Sequence, residues 1–320
     1  MLISLHKIVC FSCVLFIILL TGCTDQDGPQ VSTDDSSEFS SLLPTRTPRL
    51  IPSPTIKTSL DSTEDKYLPD MDQDQKMQNL AVDKLGPYKS EQSTFGSLHY
   101  DPLFSGPVFS EFGDARTHGQ NGATVWNPTF EFKAPADTIL LAPISGFISY
   151  AKWQSFEGDW EIHIVSDMDS RIRVGIDHIV SIDCDRGTDV LIPCDMPLRV
   201  GGTILSEYTP VVAGETLGYF GNWFGDSGTD INGRTELMVF EYINDYEGVL
   251  NHCPTLYLDA EVEQHLTNRI QNLMSSFEIW SGDASIYDEQ NMIAPGCLYE
   301  AIKEHDGRVE LIYSLEDANQ

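Results

Sequence analysis

Apolar and polar positions divide this chain into three regimes. Residues 8–20 form a largely apolar run close to the N-terminus. Residues 24–97 show no sustained period and are rich in Asp, Ser, Thr, Pro and Gln. From residue 107 onward, short apolar or alternating stretches recur between Gly and Asp turns, at 138–142, 147–151, 160–165, 171–176, 216–220 and 237–243. Such short runs with turn residues between them predict antiparallel strands. Between the first two, Pro143 stops ladder pairing and Gly146 supplies the tight turn. After Pro254 the period changes: Val262, Leu266, Ile270, Leu273 and Phe277 recur every three or four residues, predicting an amphipathic helix. A shorter helix is expected around 298–304, after Pro295-Gly296.

The first two regimes read as targeting and tether. Lys7 precedes the apolar run, which is too short to span a bilayer comfortably and ends in Leu20-Thr21-Gly22-Cys23. That ending resembles a bacterial lipobox, which implies cleavage before Cys23, lipid on its thiol, and a protein exported and anchored to the outer face of the cytoplasmic membrane or to the outer membrane. Cys10 and Cys13 lie inside the signal and read as apolar filler. Residues 23–97, with Pro44, Pro48, Pro52 and Pro54 at short spacing, bury too little apolar surface to offset chain entropy and are expected to be a disordered tether.

Charge narrows the partners. The 320 residues carry 49 Asp+Glu against 19 Lys+Arg, a formal charge of −30. That balance opposes binding to nucleic acid or, by charge, to anionic lipid. Setting aside Cys10, Cys13 and Cys23, four cysteines remain: Cys184, Cys194, Cys253 and Cys297. An even remainder in an exported chain favours two disulfides, with Cys184–Cys194 and Cys253–Cys297 as the expected pairs among three possible pairings. No C-x-x-C spacing favours structural zinc among these four.

The segment Ala134-Pro-Ala-Asp-Thr-Ile-Leu-Leu-Ala-Pro-Ile-Ser-Gly146, followed by an apolar run, resembles the core hairpin of the M23 (lysostaphin/LytM-type) zinc metallopeptidases. The resemblance covers about 107–243. It implies an antiparallel β-sandwich at 98–250, and the change of period after Pro254 makes 251–320 a helical C-terminal extension. On this alignment the first zinc-ligand histidine of the family falls on Asn127 and the ligand aspartate on Glu131. His178, in Gly175-Ile-Asp-His-Ile179, matches a catalytic histidine. The turn from Val212 to Asn222 resembles the family's glycine-rich turn, and the following His-x-His strand reads Leu237-Met238-Val239. The second catalytic histidine and the third zinc ligand therefore fall on Leu237 and Val239.

A catalytic zinc site needs about three protein donors and an open position for water. Valine has no lone pair, an amide oxygen is a weak substitute for imidazole, and a carboxylate alone suits harder cations with more oxygens. The expectation is therefore a degenerate domain without cofactor or catalysis, whose groove (Asn127, Glu131, His178, Trp126 and Trp223) binds cell-wall peptidoglycan or an envelope protein. The alternative is a zinc metalloendopeptidase acting on peptidoglycan with substituted ligands. Neither His118 nor His163 has a partner at ligand spacing, and Glu241 reads as an ordinary carboxylate. Asp226, Asp230 and Asn232 flank glycines without EF-hand order and read as turn chemistry.

Overall fold

The computed structural model describes residues 76–83, 107–118, 123–184, 194–222, 232–243 and 248–315, plus the backbone of short strands between 88 and 99. All belong to one unit, Ser62–Gln320. The expected lipid site Cys23, the signal, Trp223, and Asp226 and Asp230 lie outside the described residues, as does the side chain of Asn232.

Three short strands, β1 (Tyr88–Lys89), β2 (Thr94–Phe95) and β3 (Leu98–His99), form a small antiparallel sheet. The main body is a branched antiparallel sheet of 12 strands. It contains β4 (Phe109–Ser110), β7 (Phe130–Pro135), β8 (Ile139–Leu141), β9 (Gly146–Gln154), β10 (Asp159–Val165) and β11 (Ile172–Val180). The rest of it is β14 (Pro210–Val211), β15 (Thr216–Asn222), β16 (Asn232–Ile243), β17 (Gly248–His252), β18 (Ala301–His305) and β19 (Arg308–Ile312). Two hairpins stand beside it: β5 (Ala115–His118) with β6 (Ala123–Trp126), and β12 (Arg199–Val200) with β13 (Thr203–Ile204).

β16 is the hub. Along one edge its first half pairs with β7 and its second half with β17. Along the other edge it pairs with β11 and, near its start, with β15. Its alternation, visible in the sequence, separates two faces. Thr235, Leu237 and Val239 are buried completely, whereas Arg234, Glu236 and Met238 are half-buried. The buried face joins Phe109, Phe130, Phe132, Ile172, Val174 and Ile176 in one continuous core.

The predicted helix is α1 (Glu263–Ser281); Leu266, Ile270, Leu273 and Phe277 enter that same core. Gly282 closes it in the left-handed conformation (φ 72°) that glycine adopts without strain. The second expected helix is not formed. Residues 301–305 are β18, where alternating Ala301, Lys303 and His305 pair with β17 on one edge and β19 on the other. A boundary at 250 falls within β17, so the C-terminal segment extends the same sheet.

Residues 76–83, within the range expected to be tether, instead pack into the core. Met77, Leu80 and Val82 are nearly inaccessible, Met77 pairs with Leu258 and Val82 with Leu140. Met77, Leu80 and Val82 supply the apolar surface that lets this short stretch pack.

Both expected disulfides are present, Cys184–Cys194 and Cys253–Cys297. Cys253 and Cys297 are fully buried and tie the end of β17 to the turn before β18. Beside Cys297, Gly296 (φ 82°) lies on the rings of Phe109 and Phe130, where an added Cβ would come within 3.0 Å of both. Its carbonyl accepts the N–H of Phe112 at 2.9 Å. The C-terminal segment thus covers the first strands of the domain.

Chain-entropy arguments rank the two disulfides by the loop each closes, 44 residues against 10. Replacing Cys253 and Cys297 together with Ala is expected to cost about 4 kcal/mol, and the same change at Cys184 and Cys194 about 2.5 kcal/mol. Urea unfolding of the two double variants measures the difference.

Candidate functional site

The residues assigned to the site by sequence divide between two environments. Asn127 lies just after β6 and is 4% exposed. Its amide hydrogens go to backbone carbonyls: Nδ2 donates to Glu111 O and Thr129 O at 2.9 Å each, with Ser110 O at 3.5 Å. Its Oδ1 faces Thr129 Oγ1 at 3.0 Å. Asn127 therefore clamps the end of β4 to the start of β7. Trp126, also expected in the groove, packs against the main core.

Glu131 is 1% exposed, with Lys133 Nζ 3.8 Å from its Oε1. In register it stands opposite Ser110 on one side and Glu236 on the other, and Glu236 stands opposite Asp177. This row runs across four strands on the face of β16 opposite to Leu237 and Val239. Leu237 pairs with Phe130 and Val239 with Val174, and both are core. A cation between Glu131 and β16 would thus meet positions 236 and 238, because strand neighbours point to opposite faces. The family alignment placed the pair at 237 and 239, one residue away from the face that carries Glu131.

His178 is 3% exposed and holds a left-handed backbone (φ 60°), uncommon for a residue with a Cβ. The kink falls where β11 leaves β16, at Asp177–Glu236, and takes up β15, at Ile179–Phe220. Gly221 makes room there. A Cβ on it would lie 2.5 Å from His178 Cβ and 2.6 Å from Asp159 Oδ2. This gives a physical reason for the last glycine of the glycine-rich turn.

His178 Nδ1 donates to Asp159 Oδ2 at 2.9 Å, and Asp159 is fully buried at the start of β10. On the other side of the ring, Nε2 faces Asp177 Oδ2 at 3.7 Å and Glu236 Oε1 at 3.8 Å. Asp177 Oδ1 accepts from Gln154 Nε2 and from the His178 N–H, and Glu236 Oε2 lies 3.1 Å from Thr129 Oγ1. Arg234 stands 3.8 Å from Glu236 and 3.5 Å from Glu157.

Burial disfavours a charged imidazole here, but the hydrogen bond to Asp159, the Glu236 carboxylate and the charge of Asp177 outweigh it. His178 is pushed up to about 10 despite opposition from Arg234. Burial raises Asp177 to about 6, with Glu236 and Glu161 adding to the rise and His178 opposing it. Asp159, Asp177 and Glu236 were not assigned by sequence. Asp177 lay inside a quoted motif, but Asp159 and Glu236 are brought to His178 only by strand pairing.

Beyond this cluster the same face turns aromatic. His163, Gly175 and Met238 share a row, His163 stacks on Tyr150 with ring centres 4.4 Å apart, and Phe240 meets its edge. Arg173 lies over the ring of Tyr242. His163 Nε2 pairs with Glu161 at 2.8 Å, so its ring serves packing and one hydrogen bond.

No protein-family model and no curated protein matches this chain. Similar solved structures include lysostaphin, at 16% identity over 42% of this chain and 44% of that one, with a TM-score of 0.29. LytM of Ruminococcus gnavus is 18% identical over 44% and 47% of the two chains, with a TM-score of 0.27. LytU is 15% identical over 51% of this chain and 95% of its own, with a TM-score of 0.31. The matched part is less than half the length of lysostaphin and LytM. The mainly antiparallel β structure is of the fold class that the resemblance implied. The zinc set implied by the motifs does not fit: Asn127 Nδ2 is bound by carbonyls and its Oδ1 by Thr129 Oγ1, Leu237 and Val239 face the core, and the β16 positions on the face of Glu131 are Glu236 and Met238, neither of them an imidazole.

Two predictions follow from the register and the charges. Val239→His should destabilise the domain by about 3 kcal/mol or more, because it buries an imidazole in the core. Met238→His, on the open face, should cost within about 1.5 kcal/mol. Denaturant unfolding of the two single variants compares them, and equal losses would overturn the assignment of faces.

The second concerns pH. The folded pKa of His178 lies above its ordinary 6.5, so its stabilisation is complete below that pH and lost as pH rises toward 10. Asp177, raised from 3.8 to about 6, also lowers stability as pH rises through that interval. In chelator-containing buffer the urea midpoint should fall between pH 6.5 and 9.5, and His178→Gln should flatten that slope.

Proposed function

We propose that this is an exported, lipid-anchored envelope protein whose M23-like domain binds cell-wall peptidoglycan without cleaving it. The observation that carries the reading is the fate of the positions that the resemblance gives to zinc. Asn127 is a backbone clamp, Leu237 and Val239 are core residues, and the positions of β16 that share a face with Glu131 are Glu236 and Met238, which supply no imidazole. Without a metal-bound water, amide hydrolysis lacks the nucleophile this chemistry uses.

A binding role is supported by the open face of the sheet. Tyr150, Arg173, Met238 and Tyr242 are half-buried there, with flat rings and a guanidinium suited to stacking on sugar or peptide. Next to them lie Glu161, Asp177 and Glu236, which suit the amino groups of wall peptides. Lipid at Cys23 and the proline-rich segment after it would hold the domain near the membrane surface while letting it reach the wall.

Purified sacculi test both halves of the proposal. The protein should sediment with sacculi and release no new amino groups over hours. Alanine at both Tyr150 and Tyr242 should weaken sedimentation by about tenfold, the order expected when aromatic stacking is lost. Chelator-sensitive release of amino groups would establish the peptidase reading instead, and failure to sediment would remove the wall as the partner.

A further inference from the structure

We propose that β19 is the contact strand of a homodimer. Its open edge pairs antiparallel with β19 of a second copy, centred on Val309, so that Arg308 of each chain lies opposite Glu310 of the other. The inference is independent of wall binding.

The two ends of the main sheet are finished differently. At one end stands β14, two residues long and begun by Pro210. A short strand with a proline is a poor template for further pairing. At the other end stands β19, five residues long and without proline or glycine. Among the described residues it pairs with β18 alone. Arg308, Val309 and Glu310 are exposed, Val309 by 47%.

The ladder determines which backbone groups are left over. Asp306 and Gly307 join β18 to β19, both in the left-handed region (φ 51° and 68°), as in the two-residue turn that suits the twist of a hairpin. That turn closes on the pair His305–Arg308. Hydrogen-bonded pairs alternate along an antiparallel ladder, so Arg308, Glu310 and Ile312 turn their N–H and C=O groups toward β18. The bond from the Glu300 N–H to Ile312 O, at 2.8 Å, keeps the same phase. The N–H and C=O groups of Val309 and Leu311 therefore point outward, where a further strand would meet them.

Charge chooses the occupant. Arg308 has no carboxylate beside it among the described residues, and Glu310 has Lys303 at 3.6 Å on β18. Two copies paired about Val309 exchange its N–H···O=C bonds and set Arg308 opposite Glu310 twice, on one face of the joined sheet. Centring the pair on Arg308 or on Glu310 instead sets like charges directly opposite each other. A slip of one residue takes the outward backbone groups out of phase and exchanges the faces. Charged side chains on an edge usually deter pairing. Here they deter the neighbouring registers and favour one, so this edge fits its own copy.

Sedimentation velocity of the full chain in detergent tests the contact. The unsubstituted chain is expected to be dimeric at about 100 µM, a concentration that populates weak complexes. Arg308→Glu and Glu310→Arg should each weaken dimerisation by about tenfold, since either one sets like charges opposite each other at two places. An equal mixture of the two variants should recover association as a heterodimer, because every position 308 then faces an opposite charge at position 310. Recovery in the mixture also separates loss of the contact from loss of folding. A chain monomeric at that concentration, variants that dimerise as the unsubstituted chain does, or a mixture that stays monomeric would each overturn the proposal.

Discussion

The register of β16 is the constraint on which the rest of this structure depends. One strand pairs with β7 and β17 along one edge and with β11 and β15 along the other. A slip of one residue would turn Leu237 and Val239 out of the core and drive Glu236 and Met238 into it. The aromatic cluster of Phe109, Phe130 and Phe132 packs behind the correct face and makes that slip costly. The same alternation that buries Leu237 brings Glu236 level with Glu131 and Asp177, so the site follows from how the core is packed.

The charges on the opposite face follow a second logic. Asp159 and His178 are almost wholly buried, and Asp177 and Glu236 half-buried, an expensive arrangement unless each charge has an opposite one nearby. The imidazole meets that need from the centre, with one nitrogen on Asp159 and the other toward Asp177 and Glu236. The positive charge of the protonated ring thus lies at one point among the carboxylates of three strands. The left-handed backbone at His178 is the local distortion that turns the ring inward.

The C-terminal segment completes the domain rather than hanging from it. β17, β18 and β19 continue the main sheet, α1 lays its apolar stripe on the common core, and the Cys253–Cys297 bridge fixes the turn that covers Phe109 and Phe130. That turn bonds to Phe112, and Gly113 in turn bonds to Asn127. The extension therefore steadies the part of the fold where the motifs would place a metal ligand and where this chain has a backbone clamp.

Local pattern determined much of this. Alternating runs at 147–151, 160–165 and 237–243 gave strands, the three-and-four period after residue 262 gave α1, and the even count of cysteines gave the number of bridges, because each signal lies within a short stretch or a small set of residues; which of three pairings forms is seen only in the fold. The shorter helix failed because residues 298–304 lack a neighbour-independent period, and a strand edge offered by β17 decided their conformation. Packing of 76–83 was equally hidden, since burial of Met77 and Val82 depends on Leu258 and Leu140, far away in the chain. At the site, His178 was legible from its motif and Glu131 from its spacing to Ala134-Pro135. The face each residue occupies was not, because a single residue of register exchanges the two faces and sequence similarity does not fix it. Asp177 precedes His178 in the chain, but Asp159 and Glu236 meet it only through the pairing of three strands, so tertiary structure assembled the cluster.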